Sequence, residues 1–216
     1  MEPDIDGAEP MMIREFADFA GRTVLEIGCG DGRLTPVLAG LAGDVVAIDP
    51  DPARVATAKT AAGGASFALG VGEASCFRDG VFGAAAYTYS LHHVALEKAL
   101  VETRRVLASG GQLLVVEPSI RGEIMRYFEL FKDEASDLRR AREALASSGF
   151  AMERQATFES RWSFRDREDL LDYYFKGANV RDPGIVSKID ALLGSKRGDA
   201  PIILADESWI CSMRKP

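Results

Sequence analysis

The chain has 216 residues, 47% apolar and 27% charged, ordinary values for one soluble domain that builds its core without disulfide or metal support. Its 26 basic and 33 acidic residues leave a net charge of -7, which argues against a broad nucleic-acid footprint, because phosphate binding needs a basic face. The opening MEPDIDGAEP is acidic and polar, unlike a signal peptide, and no run reaches the roughly 18 apolar residues of a membrane span, so a cytoplasmic location is expected.

Residues 1–10 read as a loose lead-in, and Met11–Ala20 carries apolar residues at helical spacing. A repeating alternation follows. Thr23–Ile27 reads as a short buried strand, Arg33–Leu41 as a helix, Asp44–Ile48 as a second strand and Pro52–Ala62 as a second helix. Ser66–Leu69 is a weaker third strand, Ala84–Ser90 a fourth, Leu96–Leu107 a helix and Gln112–Glu117 a fifth strand. Nearly all-apolar strands alternating with helices predict a parallel sheet covered on both faces, doubly wound by right-handed crossovers. Beyond 118 the pattern changes: 120–148 predicts one or two amphipathic helices, and Ala151–Phe158 and Ser208–Met213 two late strands with a mostly helical segment between them.

The first strand runs into Gly28-Cys29-Gly30-Asp31-Gly32, a turn that brings bare backbone against a ligand. The dinucleotide fingerprint G-x-G-x-x-G fails, since it needs glycine where Arg33 stands, and no Lys-Ser/Thr pair follows to make a P-loop. A nucleoside-type ligand without a phosphate cradle remains. Asp49 ends the second strand about twenty residues later, where a carboxylate accepts from both ribose hydroxyls. Asp51 is better placed to cap the following helix, which leaves Asp49 free. Cys29, Cys76 and Cys211 form no C-x-x-C pair, and the two histidines, His92 and His93, are adjacent, so neither a disulfide framework nor a metal site is expected.

The ordered set Glu26-Ile-Gly-Cys-Gly-Asp-Gly32, Val46-Ala-Ile-Asp49, Leu69–Phe82, Tyr87–Val94 and Arg105–Pro118 resembles the class I S-adenosylmethionine-dependent methyltransferases, of the ubiquinone/menaquinone-methyltransferase-like small-molecule group. The resemblance covers about residues 22–119. It implies a Rossmann-like, doubly wound, seven-stranded, mostly parallel sheet with its last strand antiparallel and small helical lid segments. The chain then reads as one methyltransferase domain, 1–216: a helical cap (1–21), a cofactor-binding core (22–119) and substrate-side helices with the final strands (120–216). The resemblance implies S-adenosylmethionine as cofactor and S-adenosylhomocysteine as product, held by Glu26, Gly28, Cys29, Gly30, Asp31, Asp49, Pro50, Gly72, Glu73 and Thr88. Family members commonly carry Gly-Asp-Ala-Glu at the adenine segment; here it is Gly70-Val71-Gly72-Glu73, which leaves Val71 where the adenine-facing acid would stand.

Methyl transfer is an in-line displacement, so the protein's task is to hold the acceptor behind the methyl group and exclude water. A general base is needed only for an acceptor that must lose a proton near its own pKa; His93 is the candidate, and packing of the loop is the competing role. Acceptor specificity is expected from Met12–Phe19, Ile124–Phe131 and Trp162–Phe175, whose aromatic residues read either as an apolar pocket or as core. The expected partner is a small-molecule methyl acceptor, with no nucleic acid and no membrane span; the oligomeric state, homodimer included, stays open. Two rival functions are a non-catalytic, cofactor-binding regulatory subunit and an aminopropyltransferase-like enzyme, the latter disfavoured because histidines stand after the fourth strand where acids would be needed.

Overall fold

A computed structural model of the chain describes residues 1–176, 178 and 180–216. Its strands, β1 (Thr23–Ile27), β2 (Asp44–Asp49), β3 (Ser66–Leu69), β4 (Phe82–Thr88), β5 (Leu107–Pro118), β6 (Ala151–Phe164) and β7 (Ile202–Arg214), form one sheet in the order β3-β2-β1-β4-β5-β7-β6. The first five pair in parallel, and β7 runs antiparallel to both β5 and β6. The helices are α1 (Ala8–Phe16), α2 (Thr35–Ala39), α3 (Pro52–Ala61), α4 (Leu96–Val106), α5 (Glu123–Phe128), α6 (Glu134–Ser147), α7 (Arg167–Tyr174) and α8 (Pro183–Leu193). This is the doubly wound sheet expected from the alternating pattern, with the seven strands and antiparallel last strand that the resemblance implies.

Side chains alternate across a strand, and here both phases are apolar. Val24, Val45, Ala84, Leu114 and Ile210 face one layer, closed by α1 and α2. Leu25, Ile48, Ala85, Leu113 and Cys211 face the other, closed by α4 and α6. Burial on both faces is why these strands read as continuous apolar runs.

Three expectations change. The lead-in is built into the fold: Glu2 exchanges backbone hydrogen bonds with Ser163, and the Met1 amino group lies 2.7 Å from Asp169 Oδ2. The Asp4 carboxylate accepts from the Ala8 and Glu9 N–H groups, so α1 starts at Ala8 rather than Met11 and ends at Phe16 rather than Ala20. The helix expected over 33–41 shortens to α2, whose first turn holds Pro36 and whose end meets Gly40, so the loop before it runs through Leu34.

The last two strands are longer than the sequence pattern indicates. Pairing of β5 with β7 ends at Pro118↔Ser208, but β6 and β7 stay paired from Glu159↔Glu207 to Phe164↔Ile202. Because β7 is antiparallel to β5, this two-stranded overhang projects past the carboxyl ends of the parallel strands, where ligands sit in open α/β sheets. Phe164, Ile202 and Leu204 of the overhang gather Ile124 and Tyr127 of α5, Leu170 and Tyr174 of α7 and Ile189 of α8 into a third apolar cluster. The segment between β6 and β7 is mostly helical as expected; positions 177 and 179 within it lie outside the described residues.

Candidate active site

The glycines after β1 divide the work. Gly28 has φ of 76°, and a Cβ on it would stand 2.5 Å from Ser90 Cβ. Gly32 has φ of 82°, and a Cβ there would stand 2.9 Å from Ala62 Cβ and 3.1 Å from Ala58 Cβ. Both therefore let the loop touch the protein itself. Gly30, with φ of 55°, would meet only the Arg54 guanidinium at 3.6 Å, and its backbone opens on the cavity beside the loop. The spacing thus mixes two packing requirements with one ligand-facing position.

Glu26 ends fully buried, with Thr35 Oγ1 donating to Oε2 at 2.6 Å and Thr88 Oγ1 to Oε1 at 3.4 Å. Burial raises its pKa to about 7, against the lowering effect of the two hydroxyls. Asp49 is 5% exposed and is not left free: Oδ2 accepts from Gly30 N–H at 2.9 Å and Oδ1 from Asp51 N–H at 2.9 Å. A carboxylate has about four acceptor sites, so it retains capacity for a diol. Asp51 caps α3 as expected, accepting from Ala53 and Arg54 N–H.

Gly28, Cys29, Gly30, Asp31 and Thr88 line one cavity of about 420 Å³, within the range of small-molecule sites. Cys29 is buried there, and burial, followed by Glu26 and Asp49, pushes its thiol up to about 12, which keeps it neutral. Pro50 is exposed beyond the loop. Gly72 and Glu73 lie outside the cavity: Gly72 packs against Ile27 and the Tyr87 hydroxyl, and Glu73 Oε1 accepts from Ala95 N–H at 2.7 Å, at the start of α4.

The histidines separate. His92 is buried, and its Nδ1 meets Glu117 Oε2; burial pulls its pKa down, but the Glu117 carboxylate outweighs this and the net shift is upward. Glu117 also accepts the Leu91 N–H at 2.7 Å, so this pair holds the turn after β4. His93 stands at the exposed rim of the cavity, its ring centroid 3.8 Å from that of His92. Desolvation by the groups packed around it, then the charge of His92, lowers its pKa to about 4.

The far wall comes from the acceptor-side segments. Ile124, Met125 and Phe128 of α5, Trp162 of β6 and Tyr173 of α7 line the cavity. Tyr127, Phe164, Tyr174 and Phe175 are buried core, and Phe131 is 40% exposed, so the aromatic stretches serve both roles. In the N-terminal stretch, Met12, Phe16 and Phe19 are core, while Met1 and Pro3 line the cavity.

Other groups at the site had no sequence motif. Glu9 is 1% exposed and pairs with Arg33; Tyr89 Oη donates to Glu9 Oε1 at 2.9 Å and lies 2.9 Å from Ser208 Oγ. Tyr89 holds φ at 57°, a conformation costly for a residue with a Cβ and concentrated at functional sites. Asp206, on β7, is 6% exposed and also lines the cavity. Its signal was available: Ile202, Leu204, Asp206 and Ser208 share one phase, an acid in an otherwise buried register.

Residues 25–115 match the methyltransferase domain family. A curated relative, an uncharacterized methyltransferase of Mycobacterium tuberculosis, is 35% identical over 97 residues, 45% of this chain and 40% of its own length. A solved protein from Bacillus halodurans superposes with a TM-score of 0.67 at 20% identity, covering 98% of this chain and 99% of its own. Geranyl diphosphate C-methyltransferase from Streptomyces coelicolor, solved with Mg2+, geranyl diphosphate and S-adenosylhomocysteine, gives 0.62 at 16% identity, covering 96% of this chain and 80% of its own. The matches reach the level of the domain and single out no ubiquinone or menaquinone subgroup. Among the described residues no helix is long and apolar enough to cross a membrane. Residues 25–115 thus match the methyltransferase domain family, the chain spans 40% of the length of the curated relative, and its sheet has the Rossmann-like fold of these solved proteins.

Proposed function

We propose that the protein is an S-adenosylmethionine-dependent methyltransferase acting on a small organic acceptor by in-line displacement at oxygen, nitrogen or carbon. The observation that carries this reading is one cavity with two unlike walls. Bare backbone at Gly30, with Asp31 and Thr88, forms one side, and the apolar groups of α5, β6 and α7 form the other. The residues fit the cofactor: Gly30 leaves space where a side chain would project, and buried Asp49 has acceptor capacity beside it. Gly28–Asp31 and Thr88 would hold the amino-acid and ribose parts, Asp49 the ribose hydroxyls, and Glu26 the amino group, directly or through water. Gly72 and Glu73 would bound the adenine side, with Glu73 acting through the start of α4 rather than as a free carboxylate.

The bound cofactor supplies an electrophilic methyl group on a sulfonium. The chain's own contribution is to place the acceptor and keep water out. Met1 and Pro3, tied down by the Glu2–Ser163 pairing, form part of the cavity wall. His93, neutral at physiological pH with a pKa near 4, is a weak base, suited to an acceptor that is itself acidic. Titration calorimetry with S-adenosylhomocysteine is the test: saturable binding, lost in Asp49→Leu, supports the reading. No heat at millimolar ligand with the folded protein rejects it.

A further inference from the structure

The overhang of β6 and β7 places three polar side chains on one face. Ser160 and Asp206 are direct cross-strand partners, and Trp162 lies two residues along β6 from Ser160, diagonal to Asp206. Directly opposite side chains on a ribbon stand about 5 Å apart at Cβ, and the diagonal is within reach of an aromatic ring. Yet Ser160 Oγ, Trp162 Nε1 and Asp206 Oδ1 are all buried without a hydrogen-bond partner. Native proteins rarely leave such atoms unpaired, and three on one ribbon face beside a cavity point to a missing partner.

The surroundings decide what that partner is. Trp162 and Asp206 both line the cavity, together with Ile124, Met125, Phe128 and Tyr173, and Ser160 stands directly behind them as the cross-strand partner of Asp206. Gly122 presses bare against the carboxylate: a Cβ there would stand 2.0 Å from Asp206 Oδ1. The Arg33 guanidinium, in the same cavity lining, is taken by Glu9, and Tyr89 and Ser208 satisfy each other farther along the same face. Burial, reinforced by Glu9, lifts the Asp206 pKa to about 7, against the lowering effect of the Glu207 and Ile124 backbone N–H groups.

We infer that Ser160, Trp162 and Asp206 form a subsite for a hydroxyl group carried on an apolar, aromatic-sized body. A hydroxyl donates to the Asp206 carboxylate and accepts from the Trp162 indole N–H through its own lone pair, with Ser160 completing the set. An ammonium group matches less well, since it has no lone pair for the indole N–H. The inference deepens the proposed function, and rests on it, by naming the acceptor as hydroxyl-bearing. The subsite itself is a property of the β6–β7 ribbon alone.

The probes are para-ethylphenol, its methyl ether and the para-ethylbenzylammonium cation, titrated into the full chain by calorimetry and by nitrogen–proton NMR. The Trp162 indole resonance is assigned with Trp162→Phe. The phenol is expected to bind at least about 10-fold tighter than the ether, the scale of one buried hydrogen bond to a charged group, and to shift the Trp162 indole signal. Asp206→Leu is expected to bring the phenol down to the affinity of the ether. Should that variant fail to fold, Ser160→Ala, which removes only a hydroxyl, is expected to weaken the phenol and leave the ether unchanged. Equal affinity for phenol and ether, no binding of either at millimolar concentration, preference for the ammonium cation, or an unmoved indole signal each overturns the inference. The same samples titrated with S-adenosylhomocysteine separate the two claims. Cofactor binding without phenol selectivity removes only the subsite, whereas phenol selectivity without cofactor binding removes the methyltransferase reading and leaves the subsite standing.

Discussion

Replacing Gly28 by alanine tests whether this glycine serves the protein or the ligand. The new Cβ would lie 2.5 Å from Ser90 Cβ, and Ser90 cannot swing away cheaply, because its hydroxyl donates to Ile27 O at 2.6 Å from a buried position. The left-handed φ of 76° costs about 1–2 kcal/mol for a residue with a Cβ. Overpacking adds about 1–3 kcal/mol. The total, about 2–5 kcal/mol, corresponds to a fall in melting temperature of about 5–15 °C for a domain of this size. Gly30→Ala is the matched control: its φ of 55° carries a similar backbone cost, but its Cβ meets nothing closer than the Arg54 guanidinium at 3.6 Å. It is expected to lose only about 1–2 kcal/mol of stability, while S-adenosylhomocysteine affinity falls at least about 10-fold because the added methyl enters the cavity. Urea and thermal unfolding with calorimetry on both variants settle the matter. Equal stability losses, or a Gly30→Ala protein that binds like the wild type, would refute the division of labour among the glycines.

Arg33→Met leaves the buried Glu9 carboxylate without its cation and is expected to cost about 2–4 kcal/mol in urea unfolding, less than a fully buried pair because the Arg33 side chain is 41% exposed. Glu26 binds its proton more tightly folded, with a pKa near 7, than at its ordinary 4.5, so stability falls as pH rises from about 4.5 to about 7 and is level above. That single group contributes up to about 3 kcal/mol across the window, and Glu26→Gln is expected to flatten the corresponding part of the stability profile; an unchanged slope sinks the assignment. His92 carries the same sign, in a higher window. With its pKa raised by Glu117, its contribution is complete below about 6.5 and is lost as pH climbs through the folded value. Imidazole NMR is expected to show His92 titrating above 6.5 in the wild type and below it in Glu117→Gln.

The cofactor half was legible because its constraints are local. Both sheet faces are covered, so β1, β2, β4 and β5 announce themselves as apolar runs, while the exposed edge strand β3 reads more weakly. The Gly28–Gly32 turn, Asp49 and Thr88 sit at strand ends whose spacing the crossovers fix. What sequence misread there was cause: Gly28 and Gly32 looked like space for a ligand, yet the spaces are filled by Ser90 and by Ala58 and Ala62. Asp49 looked free because its partners are backbone N–H groups, which leave no trace in residue identity.

The acceptor half was hidden for a different reason. β6 is the edge strand of the sheet and continues with β7 into the overhang, so it reads Met-Glu-Arg-Gln-Ala-Thr-Phe-Glu-Ser and its outer residues are polar. A polar alternating stretch is weak evidence of a strand until its partner is known. That partner, residues 202–207, holds Asp206 and Glu207 side by side; only the pairing with β6 assigns one to the buried phase and the other to the surface. The same ambiguity covers the N-terminus, where Glu9 and Asp4 looked like ordinary solvated acids. One caps α1, while the other is sealed under Arg33 and Tyr89 at the cavity wall. The proposed acceptor recognition therefore rests on acids whose burial is decided by contacts across the whole length of the chain, from Glu9 to Ser208. Substitutions at those acids are expected to redirect or destabilise the site while every motif of the cofactor half stays intact.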